Sequence, residues 1–237
     1  MKILIPMAGE GSRFSQKGYA VPKPFIDVNG KPMIQCVSEN LSFDAEYIFL
    51  VRKSHLEEHK GITEMLNLIS NRRCKIVEVD TLTEGAACTA LLAKNYINDE
   101  DDLMIANSDQ IIEYNAENFN LFRNLTHVDA IAFSFYDTNP KWSFLKTNSK
   151  GLVIEVAEKK AISNIATCGI YWYRRGRDFV RAAERMINNN LRVNNEFYIA
   201  PVYNEMIADG MTIAPFFVHK MYGIGTPEDL EKYIKGE

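Results

Sequence analysis

The stretch MKILIPMAGEGSRFSQKGYAVPKPFIDV, residues 1–28, runs from an apolar segment straight into a turn that carries Gly9 and Gly11. Arg13 follows at once, and Lys23 stands a short loop away between Pro22 and Pro24. KILIPM (2–7) has the length and continuous apolar character of a buried strand. Glycine directly after such a strand lets backbone N–H groups approach an anion with no side chain between them. Two familiar phosphate loops do not fit. A dinucleotide fingerprint needs a third glycine where this chain has Phe14, and the G-K-[ST] ending of a Walker A loop is missing. What remains is a glycine turn with two cations, the second presented by a loop that its prolines stiffen. Fixed donors of this kind suit a polyphosphate. For Gly9 and Gly11 alone, an ordinary turn with solvated charges is the better reading; Arg13 and Pro22-Lys23-Pro24 in the same loop shift the balance to phosphate.

Outward from this stretch, short β-rich runs alternate with helical patterns. YIFLV (47–51), KIVEV (75–79) and DLMIA (102–106) read as further strands, with helices near 33–41, 54–70 and 84–97. Such alternation predicts an α/β fold, a Rossmann-like, mixed, mostly parallel sheet flanked by helices. Ligands of these sheets bind beyond the carboxyl ends of the strands. Both the loop 8–22 and Asn107-Ser108-Asp109 leave strands at that edge. From about residue 129 the rhythm changes. DAIAFSFY, SFLKT, GLVIEVAEK and ATCGIYWY follow as strands in quick succession, some antiparallel. Helices are predicted at 177–189, 197–208 and 227–235, with a strand near 212–218. No repeat or Pro/Ser-rich linker divides the halves, which predicts a single domain whose second half extends the first sheet toward a substrate.

The composition narrows the function classes. A chain of 237 residues can bury one substantial core. A formal net charge of -4 with mixed signs argues against a nonspecific nucleic-acid binder. No apolar run approaches the roughly 18 residues of a membrane span, and the N-terminal run does not read as a signal peptide. Cys36, Cys74, Cys88 and Cys168 form no C-x-x-C pair, which suits reduced thiols in a cytoplasmic protein.

M-A-G-E-G-S-R-F…P-K-P resembles the signature of the nucleotidylyltransferases, which join a nucleoside triphosphate to a phosphorylated acceptor and release pyrophosphate. The family includes the sugar-1-phosphate pyrophosphorylases and cytidylyltransferases of surface-polysaccharide synthesis, with a fold of the nucleotide-diphospho-sugar transferase type. The likeness continues in order along most of the chain. Glu84-Gly85-Ala86-Ala87 resembles the family's base-binding turn, and Asn107-Ser108-Asp109 stands where a strand-end aspartate binds magnesium. Glu158-Lys159 resembles an E-K pair, Asn195-Glu196 an acceptor-side motif, and Gly225-Thr226-Pro227 the closing motif. The segment W-S-F-L-K…V-A-E-K-K-x-I-S-N…V-N-N-E-F-Y-I-A-P-V-Y-N is similar to small cytidylyltransferases of capsule-modifying pathways, those acting on phosphoglutamine for methyl phosphoramidate capsule modification among them.

The resemblance implies roles. Residues 1–128 would form the nucleotide-binding part and 129–237 the acceptor-binding extension. Ala8, Gly9, Gly11, Ser12, Arg13, Glu84, Gly85 and Ser108 would bind the nucleotide, CTP on the finer likeness. Arg13, Lys23 and Lys159 would be catalytic: Arg13 on the leaving phosphates, Lys23 bridging the α-phosphate and the acceptor, Lys159 on the acceptor's phosphate. Glu158, Lys159, Asn195 and Glu196 would bind the acceptor, and Asp109 would hold Mg2+. A homodimer is also implied, with no nucleic-acid or membrane partner. One departure stands out. Many sugar nucleotidyltransferases carry a second magnesium aspartate near the C-terminus, and here Gly223 takes that place.

The chemistry suits the residues. A phosphate monoester is largely dianionic near neutrality, so nucleotidylyl transfer needs no general base. The lack of a Ser-His-Asp or Cys-His pattern is no objection; what is needed is charge neutralisation. Rival readings remain for single residues. Asp109 could cap a turn, Glu158 could be a solvated charge that holds Lys159, and Trp142, Trp172 and Tyr173 could be core. Glu196 is expected at a helix start, where an acidic residue is a common stabilising device. His55-Leu56-Glu57-Glu58-His59 matches the H-x-x-E-H pattern of zinc peptidases, although the segment is polar all round. A catalytically silent nucleotide-binding regulator is the third class; it would need fewer cations than Arg13, Lys23 and Lys159 together supply.

Overall fold

The computed structural model describes residues 1–236. Its centre is a nine-stranded sheet. The strands are β1 (Lys2–Pro6), β2 (Glu46–Arg52), β3 (Cys74–Val79), β4 (Leu103–Ala106), β5 (Ala130–Tyr136), β6 (Ser143–Thr147), β7 (Val153–Glu158), β8 (Ile165–Tyr173) and β9 (Ile213–Phe217). β1 pairs in parallel with β2 and with β4, and β2 in parallel with β3. β8 runs antiparallel to β4 on one side and to β5 on the other, and β9 adds in parallel to β5. The register of β8 slips between Thr167 and Tyr171, so its C-terminal half pairs with β4 while Ala166 faces Phe144 of β6. That slip lets the hairpin of β6 and β7 fold out over the carboxyl edge of β1 and β4, where a ligand would bind.

Strand alternation divides the core into two layers. Leu4, Ile48, Leu103 and Ile105 face one side with Phe179, Met186 and Tyr203. Ile3, Ile5, Phe49 and Met104 face the other with Phe119, Phe133 and Trp172. A third, smaller cluster joins Phe14, Ile26 and Val28 of the opening loop to Ile224 and Leu230 near the C-terminus. This cluster decides the site, because it clamps the glycine turn against the closing segment. The last helix, Pro227–Lys235, has the start its sequence dictates. The Thr226 hydroxyl caps it by accepting from the Asp229 N–H, proline occupies the first turn, and Glu228 and Asp229 face the positive end of the helix.

Three elements differ from the sequence expectation. The helix expected over 54–70 is two, Lys53–Glu58 and Ile62–Ile69, because the chain turns through Gly61 at φ 101°. The helix expected over 84–97 likewise divides into Ala86–Leu91 and Lys94–Ile97. The helix expected from residue 197 starts only at Val202. Phe197 is instead fastened to another segment: its N–H donates to the Glu84 carbonyl at 2.8 Å, and its carbonyl accepts from Ala87 at 2.9 Å. Tertiary pairing outweighs local propensity there. The ribbon of Gln110–Glu113 with Lys220–Gly223 and the helix Ala116–Leu125 have no counterpart in the sequence reading. Among the described residues no helix is long and apolar enough to cross a membrane.

Candidate active site

The carboxyl edge of β1, β2 and β4 carries a cleft of three joined cavities. The middle one is walled by Gly9, Gly11, Ser12, Arg13, Lys23, Asn107, Ser108, Asp109 and Gly225. Phe14, the residue that breaks the dinucleotide pattern, is its anchor. The ring is 2% exposed and meets Tyr19 edge-on at 5.1 Å, fixing the short helix Ser12–Gln16 from which Arg13 projects. Lys23 opens a single 3₁₀ turn, Lys23–Phe25, and its ammonium forms an ion pair with the Asp109 carboxylate. Gly225 presses on that pair: a β-carbon there would lie 2.6 Å from Asp109 Oδ2 and 3.6 Å from Lys23 Nζ. The Ile224 N–H donates to the Asp109 carbonyl at 2.9 Å, which ties the closing segment to the strand end.

A second lobe lies between the glycine turn and the helix Ala86–Leu91, lined by Ala8, Gly9, Thr83, Glu84, Gly85, Asn195 and Glu196. Gly85 has φ 128° and ψ 172°, a conformation essentially closed to other residues. Glu84 makes an ion pair with Arg192 at 3.1 Å, and the Arg192 guanidinium lies 4.2 Å from the centre of the Phe197 ring. Arg52, at the end of β2, donates from Nε to the Ala8 carbonyl at 3.2 Å and so shapes the glycine turn from below.

A third lobe, about 540 Å³, opens on the far side of Asp109. Glu158 and Lys159 line it with Lys141, Trp142, Ser143, Tyr198, Thr226 and Asp229, and it shares Arg13, Lys23, Asn107, Asp109 and Gly225 with the middle cavity. Lys159 sits at φ 53°, and its N–H donates to the Trp142 carbonyl at 2.9 Å. Its ammonium donates to the Tyr198 hydroxyl at 2.6 Å and lies 4.6 Å from the centre of that ring. Glu158 is half-buried and accepts from the Ser143 hydroxyl. Burial pushes its carboxyl above the usual range; Ser143 and Lys159 oppose the rise, and Glu196 adds to it.

The residues singled out from the sequence therefore fall into one continuous cleft. Arg13, Lys23 and Asp109 meet at its centre, and Glu158 with Lys159 stands in the third lobe. Asn195 and Glu196 line the second lobe beside Glu84 and Gly85, although the charge of Glu196 is felt by Glu158 and Tyr198. Glu196 does not open a helix, a correction to the sequence reading. It closes a tight turn by an isolated bridge to Val193, and no helix follows before Val202. The H-x-x-E-H segment is also reshaped. Its helix ends at Glu58, and His59 leaves helical geometry at φ -117°, ψ 89°. No group of three or more His, Cys, Asp or Glu side chains among the described residues is placed to hold a metal ion. Sequence reasoning missed Arg52, Lys141, Arg192 and Tyr198. Arg52 was within reach of the same rule that found Asp109, since it ends a parallel strand at the ligand edge.

The profile of the family described as Nucleotidyl transferase matches residues 2–235. The chain belongs to that family. A curated relative, the bifunctional protein GlmU of Methanococcus maripaludis, is 30% identical over 176 residues, covering 72% of this chain and 39% of the relative. The chain thus spans about two-fifths to one half of the length of the GlmU relatives it matches. A nucleoside-diphosphate-sugar pyrophosphorylase from Vibrio cholerae RC9 superposes with a TM-score of 0.84 at 26% identity, covering 98% of this chain and 99% of that one. A UDP-glucose pyrophosphorylase solved with UDP-glucose superposes at a TM-score of 0.77 and 18% identity, covering 99% and 97%, which speaks to the fold alone. The mixed, mostly parallel sheet flanked by helices is the fold of these neighbours.

Proposed function

We propose that the protein is a nucleotidylyltransferase that joins CTP to a small phosphorylated acceptor, phosphoglutamine on the finer sequence likeness, and releases pyrophosphate. The observation that carries this is the junction of Lys23, Asp109 and Arg13, shared by two cavities of one cleft. A reaction between two phosphate-bearing molecules needs such a meeting point. An acceptor phosphate oxygen would form a bond to the α-phosphorus while the bond to the β-phosphate bridging oxygen breaks. Charge then grows on the leaving pyrophosphate, where fixed donors act most strongly.

The base would occupy the second lobe, against Ala8, Glu84 and Gly85, with Ser108 and the Gly9–Ser12 turn along the phosphates. Arg13 would hold the leaving phosphates. Lys23 would exchange Asp109 for the α-phosphate and the incoming oxygen, and Lys159 would hold the acceptor's phosphate from the third lobe. On this division residues 1–128 supply most of the nucleotide side and 129–237 most of the acceptor side, with Glu158 in the third lobe; Asn195 and Glu196 line the base's lobe, and Glu196 would act on the acceptor through the charge it adds beside Glu158. Asp109 is the one carboxylate among the described residues lining the middle cavity. A hard cation that takes most of its ligands from phosphate and water asks no more of the protein, so the residues fit a single Mg2+ carried by the nucleotide. When bound, that ion would neutralise triphosphate charge.

A sugar 1-phosphate as acceptor is the second reading, favoured by the likeness to the Vibrio cholerae pyrophosphorylase. A pyrophosphate-release assay crossing the nucleoside triphosphates with phosphoglutamine, phosphocholine and sugar 1-phosphates separates the two. Release that needs no acceptor, or none with any acceptor, would reject nucleotidylyl transfer.

A further inference from the structure

A cation of the third lobe, Lys141, has no part in the scheme above. Lys141 lines the third lobe with Lys159, Tyr198 and Asp229. Its ammonium lies 4.4 Å from the centre of the Trp142 ring and 3.9 Å from Asp229 Oδ2. The two side chains are 47% and 31% exposed, and an ion pair so long and so wet holds little. Resting over an indole leaves the three ammonium donors free for a ligand.

The platform under Lys141 is built rather than incidental. The Trp142 indole N–H donates to Asp137 Oδ2 at 2.9 Å, while Asp137 Oδ1 accepts from the N–H groups of Thr138 and Asn139. Phe135 meets the indole edge-on at 5.5 Å. Gly223 leaves the room it needs, for a β-carbon there would stand 3.3 Å from the indole Cη2.

Lys141 and Trp142 line the third lobe but not the middle cavity, whereas Arg13, Lys23, Asp109 and Gly225 line both. Lys141 therefore stands off the reaction centre, on the third-lobe side away from the cavity of the glycine turn. The phosphate of an acceptor already faces Lys23, Arg13 and Lys159, so the charge of Lys141 falls on the acceptor's other end.

We propose that Lys141, carried on Trp142, is a specificity-determining residue that reads a carboxylate of the acceptor, at the end away from its phosphate. This rests on the reading that the third lobe holds the acceptor. One lysine, partly offset by Asp229, matches the single charge of a carboxylate and not the nearly double charge of a second phosphate. A neutral sugar 1-phosphate would leave the ammonium without a partner.

The test uses phosphoglutamine and its α-carboxamide, which differ only at that group, with wild type, Lys141→Met and Lys141→Arg. In wild type the acid should have a KM at least tenfold below that of the amide. Lys141→Met should raise the acid's KM about tenfold, to the level of the amide, with kcat and the KM for CTP unchanged. Lys141→Arg should restore part of the difference. Equal losses for acid and amide would assign Lys141 to the phosphate and overturn the proposal, as would no loss for either. Should wild type turn over neither compound, transfer to this acceptor fails, and calorimetric binding of the two compounds still decides Lys141. Tighter binding of the acid that Lys141→Met abolishes supports it; equal binding of acid and amide by wild type, or an acid preference that survives Lys141→Met, overturns it.

Discussion

Gly85→Ala tests whether the second lobe depends on one backbone conformation. At φ 128° and ψ 172° an alanine pays strain of about 1–3 kcal/mol. Its β-carbon would lie 2.5 Å from both the nitrogen and the oxygen of Phe197, whose ring is fully buried. Those two atoms make the hydrogen bonds to Glu84 and Ala87, so the clash loosens both. At about 0.5–1.5 kcal/mol net for each bond, the total is about 2–6 kcal/mol, a large share of the roughly 5–15 kcal/mol that a domain has to lose. Urea unfolding of the variant should show a loss in this range, and calorimetry at low temperature should show weakened CTP binding by the fraction that stays folded. Gly151→Ala is the control. It has φ 77° with nothing within 4 Å of the added carbon, so only about 1 kcal/mol of conformational cost applies. If Gly85→Ala unfolds within about 1 kcal/mol of Gly151→Ala and binds CTP like wild type, the backbone link through Phe197 does not build the lobe.

The remaining predictions concern charge. Lys23→Ala and Arg13→Ala should each cost about 3 kcal/mol in turnover, roughly 100-fold or more, with a much smaller fall in melting temperature; a matched fall with little kinetic loss would make them structural. Asp109→Asn should move the magnesium dependence of pyrophosphate release to much higher concentration in a folded protein, whereas Glu196→Gln should leave that curve in place and weaken the acceptor. Burial raises Glu158 above its unfolded pKa, so its protonated form favours the folded state below the unfolded pKa and that advantage is lost as pH rises through the folded one. Glu158→Gln should therefore raise the melting temperature relative to wild type more at pH 7 than at pH 4, and a pH-independent difference would remove burial as the cause.

What could be read from the sequence was whatever local chemistry decides. The first four strands are apolar runs bounded by breakers, and the last helix carries its cap, proline and charges in order; both came out within a residue or so of their structural limits. Elements held by distant partners were not legible. The ribbon of Gln110–Glu113 and Lys220–Gly223 joins segments more than a hundred residues apart, and nothing in either says which will meet. The helix expected from Phe197 is absent because the Phe197 backbone serves Glu84 and Ala87, far away in the sequence. Within the site, Arg13, Lys23 and Asp109 were visible because each follows a strand end or sits among prolines. Lys141 was not, because a lysine before a tryptophan in a loop has no spacing to mark it.

Gly223 shows how a departure noticed in the sequence acquires a cause only in three dimensions. Read along the chain, it takes the place of the second magnesium aspartate that the family resemblance leads one to expect. In the fold it faces the Trp142 indole, and even a β-carbon at that place would crowd the ring at 3.3 Å. A side chain there would need the ring to yield by a few tenths of an ångström, so glycine is the residue that leaves the Trp142 seat undisturbed. With glycine in place, the wall of the proposed acceptor lobe at this point is the Trp142 indole that carries the Lys141 ammonium, and no carboxylate stands at position 223. On the proposed reading, a carboxylate at position 223 would offset the Lys141 charge where the acceptor's far end would lie; glycine leaves that charge in place, which is the direction an anionic acceptor requires and a neutral sugar does not.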